Sequence, residues 1–172
     1  AGECVAAVER AAAARWRACE AAVASVGKLD VVPNAPNVIP GRVSLTVDVR
    51  AVDHDVIESI IDAARDALAE VAADRPVEAT LDHSWDRAPV SMDDRCRSAL
   101  HHAADAAGVA AIDLHSGAGH DTLHVADVTD AALLFAPSRD GISHNPREWT
   151  DWEDCAAATR VLAGALADLA TR

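Results

Sequence analysis

The run RVSLTVDVR, residues 42–50, alternates strictly between polar and apolar side chains and constrains the fold more than any other segment. Apolar residues recur at every second position from Val43 to Val49, so they face one side of an extended strand. A strand with one apolar face is typical of an antiparallel sheet that is covered on one side only. The segment therefore predicts a small antiparallel sheet whose apolar face lies against helices.

The flanking segments supply the predicted helices. An alanine-rich stretch predicts a helix over residues 3–23, with Gly27 marking its end and an extended segment after it. The connection PNAPNVIPG, residues 33–41, carries three prolines, which exclude a helix. Asp53 can cap a second helix, and VEATLD, residues 77–82, alternates again and predicts another strand. The expected unit is an α+β sandwich with two helices on one face of the sheet.

The second half of the sequence follows a different pattern. A helix is predicted over residues 93–107, and a further helix follows the segment 141–150. The runs VAAIDL, residues 109–114, and AALLFA, residues 131–136, are largely apolar throughout. Apolar strands that alternate with helices indicate a parallel sheet covered on both faces, which is α/β architecture. Two units of different style are therefore expected to meet near residues 86–90.

The charge balance restricts the classes of partner. Acidic residues outnumber basic residues by 28 to 15, which gives a formal net charge of −13. Such a chain repels nucleic acid and anionic membranes, so neither is expected as a partner. Two explanations of the acidic surface remain open at this point: an ordinary solubilising surface, and an adaptation to high salt.

The cysteines and the hydropathy pattern indicate the compartment. The four cysteines lie far apart, without a CxxC pair or zinc-ribbon spacing, which favours free thiols in a reducing cytoplasm. They are Cys4, Cys19, Cys96 and Cys155. No apolar stretch is long enough to span a bilayer, and no charged-then-apolar leader opens the sequence. A soluble cytoplasmic protein is the expectation.

Two loops of the second half carry residues suited to chemistry. HSGAGHD, residues 115–121, holds glycines that let backbone N–H groups approach a ligand, but Ser116 does not lie in a GxSxG nucleophile motif. His120 and His124 have i, i+4 spacing, which fits either a shared metal or one buried and one solvated side chain. In GISHNPREWT, residues 141–150, His144 lies before an Asn-Pro turn and is a candidate for a metal or acid–base role.

Three long motifs together resemble one family. They are VASVGKLDVVPNAPNVIPGRVSLTVDVR, HSGAGHDTLHVA and LLFAPSRDGISHNPREWTDWEDC, in that order along the chain. They are similar to the hydantoinase/carbamoylase branch of the M20 metallohydrolases, which includes N-carbamoyl-L-amino acid hydrolases and allantoate amidohydrolases. The resemblance implies that residues 1–86 are a lid, or dimerisation, domain lacking its first strand. Residues 87–172 would be the C-terminal part of a zinc-aminopeptidase-like catalytic domain.

The resemblance also implies roles for individual residues. His144 would be a ligand of one of two divalent metal ions, which are Zn or alternatively Mn, Co or Ni. Asn37 and Arg50 would bind the carboxylate of a small-molecule substrate from the lid. The spacing of the residues alone favours another interpretation, in which Arg50 is a surface arginine paired with Asp48 or Asp53. The backbone that contacts the bound substrate would be that of Gly117, Ala118 and Gly119. His120 and Asp121 would support this loop.

The implied reaction is hydrolysis of a linear C–N bond in an N-carbamoyl-amino-acid-like substrate, with metal-activated water. The HxD and Glu-Glu motifs that supply the family's other metal ligands and its catalytic glutamate are not in this sequence. The chain by itself is therefore expected to be inactive, and homodimerisation through the lid is expected. Two alternatives are a non-catalytic dimerisation and ligand-binding module, and an allantoate amidohydrolase.

Overall fold

The computed structural model describes residues 1–18 and 21–171. The chain divides into two compact units, Ala1–Pro89 and Val90–Arg172. The elements of the first unit are helix α1 (Gly2–Arg17), strand β1 (Val23–Val32), strand β2 (Arg42–Arg50) and helix α2 (His54–Asp74). Those of the second unit are α3 (Asp94–Ala107), α4 (Thr122–Val125), a 3₁₀ turn (Arg139–Gly141) and α5 (Trp152–Thr171).

The two strands form an antiparallel hairpin. Val23 pairs with Arg50 at one end, and Val32 pairs with Arg42 at the other, where the 33–41 connection joins the strands. The ladder shifts register between Val26 and Lys28. The strand predicted over residues 42–50 is thus confirmed with the same bounds.

The core of the first unit lies between this hairpin and the helices α1 and α2. Its buried residues are Cys4, Val8, Ala12, Ala22, Val56, Ile60 and Ala64. The partly buried side chains of Leu45, Val47 and Val49 pack against this cluster from alternate positions of β2. The predicted arrangement of two helices against an antiparallel sheet is confirmed, because alternation along β2 directs one set of side chains to the helices.

Two of the sequence-based predictions for this unit differ from the structure. Helix α1 ends at Arg17 rather than at residue 23, because Val23 already pairs with Arg50 in the hairpin and strand pairing overrides local helix propensity. Cys19 and Glu20, which the prediction also placed in the helix, lie outside the described residues. Residues 77–82 form no strand in the described part of the unit, although Leu81 packs against the core. Of the alternating apolar residues, Ala79 and Leu81 are half-buried and Val77 is exposed, so the alternation reflects partial burial without a hydrogen-bonded ladder.

The second unit is built on the packing of α3 against α5. Small side chains let these helices approach closely: a Cβ atom added at Gly164 would lie 3.1 Å from the Cβ of Ala103. The Asp93 carboxylate caps α3 by accepting a hydrogen bond from the Cys96 amide at 2.9 Å. Gly108 ends α3 in the left-handed conformation, at φ 66°.

The parallel strands predicted at residues 109–114 and 131–136 are not formed among the described residues. Both segments run without helix or ladder, and Ile112 in the first is 81% exposed. The amide of Asp93 donates to the carbonyl of Ala131 at 2.9 Å, which ties the second segment to the start of α3. An apolar run predicts that the segment is buried. It does not predict a strand, because a strand also needs a neighbouring strand to complete its hydrogen bonds.

No helix in residues 1–18 and 21–171 is both long and apolar enough to cross a membrane.

Replacing Ile60 with alanine tests the core. Ile60 is 0% exposed, so Ile60→Ala should lower the free energy of unfolding of the first unit by about 2–5 kcal/mol, through lost burial and the cavity that remains. Ile39→Ala is the matched control, because Ile39 is 92% exposed and its loss should cost less than about 0.5 kcal/mol. Urea unfolding followed by circular dichroism measures both. Equal effects would show that Ile60 is not a core residue.

Candidate functional site

Arg50, the last residue of β2, binds a carboxylate of its own strand. Its Nε donates to Asp48 Oδ1 at 2.7 Å and its Nη2 donates to Asp48 Oδ2 at 3.0 Å. The two side chains share a face because they are two residues apart in a strand. This hydrogen bonding holds the pKa of Asp48 below its usual range and raises the pKa of Arg50. The structure therefore shows the surface pairing of Arg50 with Asp48 that the spacing of the two residues allowed, with both side chains about half exposed.

Asn37 lies in the connection between the strands and is exposed. The amide of Gly41 donates to the carbonyl of Val32 at 2.9 Å and closes the base of this connection. The connection joins the hairpin at the Val32–Arg42 end, whereas Arg50 lies at the opposite end. At a rise of about 3.3 Å per residue, β2 separates the two ends by about 26 Å. The structure thus does not bring Asn37 and Arg50 to the same end of the hairpin.

The loop HSGAGHD is organised around a contact between Ser116 and His120. Ser116 Oγ and His120 Nε2 lie 2.8 Å apart, and the Ala118 amide donates to the same hydroxyl at 3.3 Å. The His120 ring also meets Phe135 edge-on, with centroids 5.3 Å apart. These contacts orient His120 and fix the loop conformation around residues 117–119.

The glycines of this loop leave room above the backbone. A Cβ atom added at Gly117 would have no heavy atom within 4 Å, and one at Gly119 would have only the Leu123 side chain at 4.0 Å. This open space is compatible with the predicted approach of a ligand to the backbone. Of the two histidines with i, i+4 spacing, His120 is half-buried and His124 is exposed, which agrees with the alternative of one inner and one solvated side chain.

His144 lies in a tight turn with φ 55°, a backbone conformation that is uncommon for a residue with a side chain. Its amide donates to Glu148 Oε2 at 3.0 Å. Asn145 stabilises the same turn, since its Oδ1 accepts from the Arg147 amide at 3.0 Å and its carbonyl accepts from the Glu148 amide. The turn is held through backbone groups, and the His144 side chain is exposed.

A second set of contacts anchors the loop that carries His144. Arg139 binds Asp151 at 2.7 Å and lies over the ring of Trp149, 5.7 Å from its centroid. Trp149 Nε1 also donates to Asp151 Oδ1 at 3.0 Å. The Trp149 hydrogen bond, followed by that of Arg139, lowers the pKa of Asp151. The sequence analysis missed this anchor, although an arginine, a tryptophan and an aspartate that bracket the loop were a usable signal.

Comparison with known proteins decides the family. The model for peptidase family M20/M25/M40 matches residues 20–168. This chain belongs to that family. It is 39% identical over 140 residues to N-carbamoyl-L-amino-acid amidohydrolase from Paenarthrobacter aurescens, an alignment that covers 81% of this chain and 34% of the relative. It is 33% identical over 144 residues to allantoate amidohydrolase from Bacillus subtilis (strain 168), covering 84% of this chain and 35% of the relative.

A solved structure agrees with the sequence comparison. The crystal structure of an amidase of the hydantoinase/carbamoylase family from Burkholderia multivorans matches with a TM-score of 0.79 and 38% identity. The match covers 94% of this chain and 40% of that chain. The predicted resemblance and the predicted α/β fold class are confirmed. The chain spans about a third of the length of the curated relatives named above.

In the part of this M20 chain that the structure describes, no group of three ligands surrounds His144. An open catalytic zinc site needs about three protein ligands. Across residues 1–18 and 21–171, the cluster of three His, Cys, Asp or Glu side chains with ligand atoms close enough for one ion is His54, Glu58 and Asp86. It does not include His144, so no catalytic step is derived through a metal at this residue. Sequence analysis overlooked the cluster, although the i, i+4 spacing of His54 and Glu58 was a visible signal.

A zinc titration tests this view of His144. His144→Ala should leave the zinc affinity of the chain unchanged, because one imidazole without further ligands binds a metal only weakly. His124→Ala is a matched control, since it also removes an exposed histidine of the second unit. Calorimetry measures both variants. Tight, stoichiometric zinc binding that disappears only in His144→Ala would show that the other ligands of this centre lie in the chain.

Proposed function

We propose that this chain serves a metal-dependent amidohydrolase that cleaves a linear C–N bond in N-carbamoyl-amino-acid-like substrates. Its contributions are a carboxylate-binding arginine, Arg50, a glycine loop at residues 117–119 that faces the substrate, and one metal ligand, His144. The observation that carries the proposal is the match of residues 20–168 to the M20 family. Arg50, which in this structure binds the carboxylate of Asp48, is the proposed substrate-binding residue. Relatives that act on N-carbamoyl-L-amino acids and on allantoate support the choice of substrate class.

The Asp48 carboxylate shows what Arg50 can bind. N-carbamoyl-amino acids and allantoate both combine a ureido group with a carboxylate, and a planar guanidinium matches a carboxylate through two parallel hydrogen bonds. A substrate carboxylate would exchange with that of Asp48, which is half exposed and can turn to water. Binding by this exchange fixes one end of the substrate and leaves the ureido carbonyl for the reaction.

Hydrolysis of the ureido bond requires an activated water and a group that protonates the leaving nitrogen. His144 is the proposed metal ligand at the reaction site, but no group of three ligands among the described residues includes it. The chain by itself is therefore proposed to bind substrate without releasing ammonia. This same observation favours the second candidate, a non-catalytic ligand-binding and dimerisation module of the M20 family.

Because of the hairpin geometry, we propose that the carboxylate site is shared between two copies of the chain. Asn37 lies in the connection at one end of the hairpin and Arg50 lies at the other end, and β2 between these ends is about 26 Å long. A single small carboxylate bridges them more readily if each comes from a different chain of a homodimer. In a two-fold dimer through the lid, each of the two sites would then receive Arg50 from one subunit and Asn37 from the other.

Substitution of Arg50 tests the carboxylate site without requiring catalysis. Arg50→Lys should weaken the binding of N-carbamoylglycine at least about tenfold, because lysine cannot form the bidentate contact. Calorimetry measures the affinity of both proteins, and NMR of the Asp48 carboxyl in the wild type checks the site, because the pKa of Asp48 should rise when the ligand replaces it at Arg50. Arg42→Lys, at the other end of the same strand, is the matched control.

The carboxamide of N-carbamoylglycine completes this experiment. The carboxamide should bind the wild-type chain poorly, and the Arg50→Lys substitution should weaken its binding only slightly further. Equal binding of acid and amide by the wild type, or an effect of Arg42→Lys as large as that of Arg50→Lys, would contradict the assignment.

Mixing two variants tests the shared site. Asn37→Ala and Arg50→Lys should each bind N-carbamoylglycine weakly when pure. In a mixed dimer, one site combines the intact Asn37 and Arg50, so random mixing should restore about a quarter of the sites. Calorimetric stoichiometry of the mixture measures this recovery. If both residues served one site from the same subunit, mixing would restore nothing.

A further inference from the structure

Three potential metal ligands converge on the start of helix α2. The ligand atoms of His54, Glu58 and Asp86 all lie within 4.8 Å of one another. His54 Nε2 is 3.9 Å from Glu58 Oε1, and His54 Nδ1 is 3.9 Å from Asp86 Oδ1. His54 and Glu58 meet because residues four apart lie on the same face of a helix. Asp86 reaches them from the segment that follows α2.

The His54 ring carries an unsatisfied polar atom. Its Nδ1 is buried and accepts or donates no hydrogen bond among residues 1–18 and 21–171, although the ring as a whole is partly exposed. A buried polar atom without a partner destabilises the fold, so such atoms are rare in proteins unless a water or an ion completes them. Asp86 Oδ1 lies 3.9 Å from this Nδ1, which is beyond hydrogen-bond distance, and Glu58 lies beside the other ring nitrogen, Nε2.

We propose that His54, Glu58 and Asp86 bind a divalent metal ion of the zinc type, and Zn²⁺ is the ion used to test the site. One imidazole nitrogen and two carboxylate oxygens form a ligand set that suits zinc, with water completing a tetrahedron. Zinc bonds of about 2.0–2.2 Å place two ligand atoms of a tetrahedral ion about 3.4 Å apart, so side-chain movements of about 1–1.5 Å close the site.

Electrostatics at this position favours a cation. Two carboxylates balance the charge of a divalent ion, and Asp53 and Asp55 add further negative charge at the same helix end. They oppose the positive end of the helix dipole, which alone would disfavour a cation. A chain of net charge −13 attracts divalent cations in general, so selectivity has to come from the imidazole.

Metal binding here would fasten two segments of the first unit. His54 and Glu58 belong to the first turns of α2, and Asp86 belongs to the stretch after α2 that has neither helix nor strand. An ion bound by all three holds this stretch against the helix. Because an ion that binds only the folded state stabilises it by mass action, zinc should raise the melting temperature of the chain.

Zinc titration of the chelator-treated 172-residue chain tests the proposal. Calorimetry should show one site, and Glu58→Gln and Asp86→Asn should each weaken it at least about tenfold, because each removes one of three ligands. Both variants keep the size of the side chain, and circular dichroism verifies that they fold. Asp66→Asn, an exposed position of the same helix, is the matched control and should bind zinc as the wild type does.

Thermal unfolding provides the second readout. Zinc should raise the melting temperature of the wild type and of Asp66→Asn, but not of Glu58→Gln or Asp86→Asn. Calcium should cause no comparable rise, because it prefers six to eight oxygen ligands. The proposal is overturned if zinc gives no stoichiometric binding, if the two variants bind and melt as the wild type does, or if calcium acts as strongly as zinc.

Discussion

Pairing of β1 with β2 is the constraint on which the geometry of the first unit depends. Slippage by one residue would turn Leu45, Val47 and Val49 from the helices to the opposite face, so burial under α1 and α2 fixes the register. The register in turn places Arg50 opposite Val23 and the 33–41 connection at the far end. The separation of the two proposed carboxylate-binding residues is therefore a consequence of core packing.

Short-range contacts then build the groups on which the proposed function rests. Asp48 and Arg50 meet because they alternate on one strand, and His144 is set by the turn that Asn145 and Glu148 close. Both the Asp48–Arg50 pair and the His144 turn form between residues close in sequence and depend little on the remaining structure. The proposed zinc site is different in kind, since Asp86 meets His54 only after the chain has run the length of α2 and returned.

In the second unit, the apolar pattern of the sequence is not sufficient to predict strands. Close packing of α3 on α5 through Gly164 and Ala103 completes its helical part. The segments 109–114 and 131–136 have the composition of buried strands, yet they form no ladder among the described residues. Burial and strand pairing are separate requirements, and a strand of a parallel sheet meets the second only beside another strand.

The sequence by itself determined the β2 strand, the one-sided cover of the hairpin, the M20 resemblance and the candidates Arg50 and His144. These depend on periodicity, turn residues and long motifs, which are properties of neighbouring residues. Only the tertiary structure decided where α1 ends, that Asn37 and Arg50 lie at opposite hairpin ends, and that His54 meets Asp86. Those outcomes depend on which distant segments pack together, and local patterns do not encode the partner of a hydrogen bond or of a buried face.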